Sequence, residues 1–308
     1  MRTPATLGLY AAGLAAAFTV ALGVGSAVGP VGAAPADEHG AEPGAHGAAA
    51  AGHDGAGARH GDAHGGEVDT APVGLASRAE GYALELEQPV VAAPGPVEVA
   101  FVLRGPDGRA VTAYSPTHER ELHLVLVRRD GTGFQHVHPE RDAAGRWSTT
   151  VVLPEAGAYK AFVDTAPDGR DEPVVLAADL LVGGAAQPQP LPPVSRTAVV
   201  DGYEVTLTGD LVAGEASRVV LTVRRDGAPV TDLEPYLGAY GHLVSLRAGD
   251  LAYLHTHPQG APRDGRTAPG PEVAFDVDVP SEGDYRLFLD FAHDGVVRTA
   301  SFTAEAGA

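Results

Sequence analysis

The chain has 308 residues and a formal charge of −19, from 40 Asp+Glu against 21 Lys+Arg. Its length predicts two domains rather than one, and an acidic surface that repels phosphate backbones excludes nucleic acid as a partner. With no Cys, and Met1 as the only methionine, disulfides, thiolate metal centres, a thiol nucleophile and thioether copper(I) sites are excluded as well.

Residues 5–29 carry no charge, and Arg2 is the one cation before them. The run is long enough to cross a bilayer, for which about 20 apolar residues suffice. Its Ala/Gly content and the small residues Ala33, Ala34 and Ala36 also suit a signal peptide. Residues 1–34 are therefore expected to export the chain, as a cleaved signal peptide or a retained membrane anchor. A run longer than a signal core of about 7–15 residues favours the anchor, and Arg2 places the N-terminus in the cytoplasm. Residues 35–72 are Ala, Gly, His and acid, too poor in apolar side chains to bury a core, and are expected to be a disordered linker. His39, His46, His53 and His60 recur every seven residues, with His64 added. No apolar seam accompanies them, so a coiled coil is not implied. Such tracts bind metal loosely, although a solvated low-complexity spacer accounts for them equally.

Beyond residue 72 the sequence repeats. Gly81-Tyr82 matches Gly202-Tyr203, and Asp107-Gly108 matches Asp226-Gly227. Pro116 before His123 matches Pro235 before His242, and His136-Val137-His138-Pro139 matches His255-Thr256-His257-Pro258. Gly157-Ala158-Tyr159 and the residues to Asp164 match Gly283-Asp284-Tyr285 and those to Asp290. Each copy reads as short apolar or alternating strands, such as 97–103, 122–127, 174–181 and 203–207, divided by Asp-Gly turns. This is the pattern of an immunoglobulin-like sandwich. The expected fold is all-β, with tandem immunoglobulin-like β-sandwiches at 73–184 and 197–308. A stiff Pro-rich linker at 185–196 joins them. Tyr82, Tyr203, Tyr159 and Tyr285 are read as core packing or tyrosine corners.

In the second copy a two-residue loop at Ala248-Gly249 would set His242 directly opposite His255, with His257 diagonal on the same face. In the first copy two registers are open, and both put His123, His136 and His138 on one face. Imidazole is a ligand for zinc, copper and nickel. Each copy is therefore expected to hold a divalent metal, copper(II) or zinc, on its His hairpin. Asp164 and Asp290 could supply a fourth, oxygen ligand, and His293, absent from the first copy, would strengthen the second site. His118 has no counterpart and reads as a loop residue. Against this stands a plainer reading: His123 shares its face with Val125 and Val127, and His242 with Val244 and Leu246, so the histidines could rim an apolar core.

The combination of Leu233-Glu234-Pro235-Tyr236-Leu237-Gly238 with Gly241-His242-Leu243-Val244 and His255-Thr256-His257-Pro258 resembles a group of exported, largely uncharacterised actinobacterial proteins with duplicated GH…HxHP β domains. They are described as secreted or heavy-metal-binding proteins. The resemblance implies His242, His255 and His257, with the aligned His123, His136 and His138, as metal ligands. No nucleophile elbow, phosphate-cradling loop or H-E-x-x-H helix is present, so no enzyme is expected. The expected partners are a metal ion and, through the N-terminal helix, the membrane. The rival reading is a non-catalytic interaction module with structural histidines that contacts an envelope protein.

Overall fold

The computed structural model describes residues 73–170 and 172–308. The expected export segment and His-rich linker lie outside the described residues. Those described form strands and turns, and none belongs to a helix long and apolar enough to cross a membrane.

Two repeated sandwiches follow one another. In the first, one sheet runs in the order Arg78–Ala79, Tyr82–Leu86, Gly95–Arg104, Arg146–Leu153, Glu140–Arg141. The facing sheet runs Val90–Val91, Val174–Val182, Gly157–Pro167, Leu122–Arg128, Gln135–Val137. The second repeats the plan. One sheet is Thr197–Val200, Tyr203–Thr208, Ala216–Arg225, Glu272–Asp278, Thr256–Pro258. The other is Leu211–Val212, Val296–Gly307, Gly283–His293, His242–Arg247, Tyr253–Leu254. Pairing is antiparallel except where Val90–Val91 and Leu211–Val212 run parallel to their neighbours.

Turn chemistry sets the entry to each copy. Glu80-Gly81 and Asp201-Gly202 all adopt positive φ, as a type I′ two-residue hairpin requires, and Ala79 pairs with Tyr82 as Val200 pairs with Tyr203. Both tyrosine corners form: Tyr159 donates its hydroxyl to Glu155 O at 3.0 Å and Tyr285 to Ser281 O at 2.7 Å.

Each sandwich fills its own core, the first around Phe101, Leu124, Leu126, Trp147 and Tyr159, the second around Tyr203, Leu243, Phe275, Tyr285 and Phe291. The Leu122–Arg128 strand is buried on both faces. Leu122, Leu124 and Leu126 point into the first core. Val125 and Val127, with Phe162, join Val244, Leu246, Tyr253 and Phe288 of the second copy in a third apolar cluster. Sheet packs on sheet through these outward faces, with Phe134 stacked on Phe288 at 4.0 Å and Phe162 tilted on Tyr253 at 5.7 Å. The face that His123 shares with Val125 and Val127 is thus the contact between sandwiches and not the rim of a sandwich core.

Strand register orders this contact into three rows, repeated in both copies. Val127 lies beside Lys160, Val125 beside Phe162 and His123 beside Asp164. Leu246 lies beside Arg286, Val244 beside Phe288 and His242 beside Asp290. A cation row ends the contact on one side, aromatics fill its middle, and a His-Asp row ends it on the other.

Truncating the central ring should undo this docking. Phe288→Ala is expected to cost about 3–5 kcal/mol of unfolding free energy, the usual range for a buried phenylalanine. Val296→Ala, at an exposed site, should change it by less than about 0.5 kcal/mol. Urea titration of the two variants measures both.

Candidate metal centre

The site lies in the His-Asp row. His123 and His136 sit on neighbouring strands of the first copy, in a register that sets His136 beside Val125 and Val137 beside Leu124. This is the register of an Asp130-Gly131 loop. The second sandwich brings His242 and Asp290 against them. One ring nitrogen each of His123, His136 and His242 lies within 4.8 Å of the others, so the three could hold a metal ion.

The hydrogen bonds fix which nitrogens carry protons. His123 Nε2 is 3.0 Å from the carbonyl oxygen of Thr117, which can only accept, so Nε2 donates and Nδ1 is left with its lone pair. His136 Nδ1 donates to Asp290 Oδ2 at 2.8 Å, so in the neutral ring the lone pair is on Nε2. Those two lone-pair nitrogens face each other at 3.0 Å, and His138 Nε2 lies 3.2 Å from the same His123 Nδ1. Facing lone pairs repel unless a proton or a cation lies between them. Two nitrogens on one metal at 2.0–2.1 Å stand about 2.9 Å apart at a right angle and about 3.3 Å apart at the tetrahedral angle. The His123–His136 and His123–His138 spacings fall in that range.

Burial disfavours protonation of His123, His138 and His242, and hydrogen bonds aim His123 and His136. The His136 and Asp290 side chains are 1% and 3% exposed, and Thr299 donates to the second Asp290 oxygen at 2.5 Å. Both carboxylate oxygens are therefore engaged, and Asp290 orients His136 in the manner of a carboxylate behind a metal-bound imidazole. Burial, opposed by the Thr117 bond and assisted by the neighbouring rings, pushes His123 down to about 3. His138 falls to about 4 by burial and the charge of His136. Burial within the ring cluster also holds His242 well below its usual value. The His242 ring stacks on His123 at 5.3 Å and on His136 at 4.8 Å.

Several expected ligands fall elsewhere. In the second copy the loop is 248–251, with Arg247 N bonded to Ala252 O, so Leu246 pairs with Tyr253. The chain leaves that sheet after Leu254, and His257 pairs with Asp276 in the opposite sheet. His255 and His257 are therefore exposed and do not oppose His242. Copy one makes the same switch later, after its His-Val-His segment, which is why its three histidines stay together. Asp290, expected as an oxygen ligand, has its two oxygens turned to His136 and Thr299. Asp164, whose register neighbour is Val175 where Asp290 has Thr299, faces the Tyr253 hydroxyl. Burial raises its pKa against the pull of His255. His293 turns into the second sandwich, between the Tyr203 hydroxyl at 2.7 Å and Asp232 at 3.1 Å.

Three participants escaped the sequence. His118 is edge-on to His242 at 5.3 Å and to His123 at 5.9 Å. Its φ of 48°, a left-handed conformation that histidine tolerates better than most residues, turns the loop across the cluster. Tyr236 lies edge-on to His138 at 6.5 Å, its phenol pushed up to about 12 by burial and the charge of Asp290. Thr299 came from a strand with no visible motif.

The depressed histidines set the sign of a pH effect. An unfolded histidine gains its proton near pH 6.5, whereas folded His123 and His138 hold out to about 3 and about 4. Acid therefore favours the unfolded chain: the metal-free protein should be most stable above pH 6.5. It should lose up to about 1.4 kcal/mol per pH unit for each histidine below that. Chemical unfolding at pH 7.5 and pH 5 measures this, and a flat or rising trend toward pH 5 contradicts it.

No curated protein matches the chain. Among solved structures it is similar to FdeC, an Escherichia coli adhesin, at 12% identity and a TM-score of 0.24, over 75% of this chain and 65% of that one. It is also similar to a Salmonella alpha-2-macroglobulin mutant (13%, TM-score 0.27, 76% of this chain and 15% of that one). A third likeness is to invasin, a bacterial integrin-binding protein (14%, TM-score 0.23, 72% and 39%). The chain spans less than two thirds of each of these, and superpositions so loose support no argument about function. The sequence itself is more specific: the family described as Domain of unknown function (DUF8832) matches residues 77–179 and again residues 198–308. The chain belongs to that family and carries its domain twice.

Proposed function

We propose that this is an exported, non-catalytic protein that binds one divalent metal ion, copper(II) or zinc, at a site shared by its two sandwiches. The observation that carries the reading is the pair of imidazole nitrogens, His123 Nδ1 and His136 Nε2, facing each other at 3.0 Å while the opposite nitrogen of each ring is held by an acceptor. Metal-bound histidines characteristically have such outer acceptors. His242 supplies a third nitrogen and His138 stands ready as a fourth. An all-nitrogen set without sulfur suits copper(II) or zinc, with copper(II) favoured by the general affinity order. Export rests on residues 1–34 and would place the site outside the cytoplasm, with the His-rich residues 35–72 gathering or buffering the same ion. The sandwiches are read as immunoglobulin-like, in keeping with the parallel pairing of Val90–Val91 and Leu211–Val212.

Metal titration of the full chain with His39, His46, His53, His60 and His64 changed to Asn isolates the folded site. One equivalent of copper(II) or zinc is expected. His242 makes no hydrogen bond among the described residues, so His242→Phe keeps the stacked ring and removes only the ligand. That variant should bind at least about tenfold more weakly, while His257→Ala titrates as the parent does. An unchanged titration in His242→Phe, or no stoichiometric metal in the parent, would make the histidines a structural joint between sandwiches.

A further inference from the structure

The end of the contact opposite the histidines carries a cation in each copy, and the duplication supplies its own comparison. Lys160 in the first copy lies 3.2 Å from Asp179, its register partner on the next strand. The matching residue in the second copy is Arg286, and its register partner is Thr303. Both copies have the cation, and only the first has the carboxylate.

Arg286 is 6% exposed and forms no ion pair among the described residues. Its Nη1 donates to Phe302 O at 2.9 Å and to Thr303 Oγ1 at 2.8 Å. Nε is buried without a partner, and Nη2 makes no hydrogen bond among the described residues. Burying a charge without a counter-charge is costly, and burial alone lowers the basicity of this guanidinium. The side chain lines a cleft of about 440 Å³ between the hairpin tips of the two sandwiches, together with Arg129, Gln189, Gly249 and Asp284. Among the described residues Arg129 is held only by carbonyls, Asp250 O at 3.0 Å and Gly249 O at 3.4 Å. Asp130, also at the cleft, is taken up by Arg128, Thr132 and the backbone of Gln189. Gly131 keeps the approach open: a Cβ there would come within 3.2 Å of Arg286 Cγ.

We propose that this cleft binds a small oxyanion (phosphate, sulfate or a carboxylate), which completes the charge pair that Asp179 supplies in the first copy, with Arg286 as its main ligand and Arg129 beside it. A guanidinium offers parallel donors matched to two oxygens of such an anion. The inference does not depend on the metal reading, because none of its residues touches the His cluster.

The test is thermal unfolding of the full chain with chelator present, at constant ionic strength, with sodium chloride replaced stepwise by phosphate, sulfate or acetate. A saturable rise in Tm is expected with at least one of the three, and the responding anion identifies the class. Arg286→Met should abolish the rise. Thr303→Asp, which restores the carboxylate of the first copy, should abolish it too. Both variants should melt at or above the parent in chloride, since Arg286→Met removes the uncompensated charge and Thr303→Asp compensates it. If Arg286→Met fails to fold, Thr303→Asp alone decides. No rise beyond chloride, a rise retained in the folded variants, or a Thr303→Asp protein that melts below the parent and still responds would overturn the proposal.

Discussion

A β-strand that is apolar on both faces must be covered twice. Leu122–Arg128 and its counterpart His242–Arg247 each spend one face on their own sandwich core, and the remaining faces, carrying Val125, Val127, Val244 and Leu246, are covered by each other. From that constraint follow the docking of two sandwiches sheet to sheet, the stacked Phe134–Phe288 pair, and the meeting of side chains at the ends of the contact. The histidines and the arginine are placed by the same rows as the phenylalanines.

The duplicated rows do not give duplicated sites. Asp290 has Thr299 beside it as a second donor and so presents its other oxygen to His136. Asp164 has Val175 in that place and faces Tyr253 instead. The second copy also changes sheets at its His-Thr-His segment, which leaves only His242 on the shared face. The matched hairpins therefore meet in one asymmetric cluster, with His118, His123, His136 and His138 from the first copy and His242 and the Asp290 carboxylate from the second. The opposite end differs in the same way, with Asp179 beside Lys160 and Thr303 beside Arg286.

Much of this was legible in the residues. Tandem sandwiches followed from the repeat and the turn chemistry, and the convergence of His123, His136 and His138 followed from strand alternation whichever register held. What alternation could not show was what the shared face rests against. A run such as 122–127, apolar but for His123, already signals burial on both sides, and that was the available hint that His123 and Val125 face another layer. The position of His255 depended on where a strand changes sheets, which no local pattern marks. Thr299 and Tyr236 were invisible for a different reason: their roles arise from neighbours distant in sequence.

The central claim is one cation held between the sandwiches, as opposed to one in each or a proton shared by the rings. Anomalous diffraction at the copper or zinc edge, from crystals of the full chain grown with that metal, tests it most directly. The account predicts one strong peak bounded by His123, His136 and His242, with the metal bonded to Nδ1 of the first ring and Nε2 of the second. Separate peaks in the two sandwiches, a peak at His255 and His257 alone, or no peak beside an intact His136–Asp290 pair would contradict it.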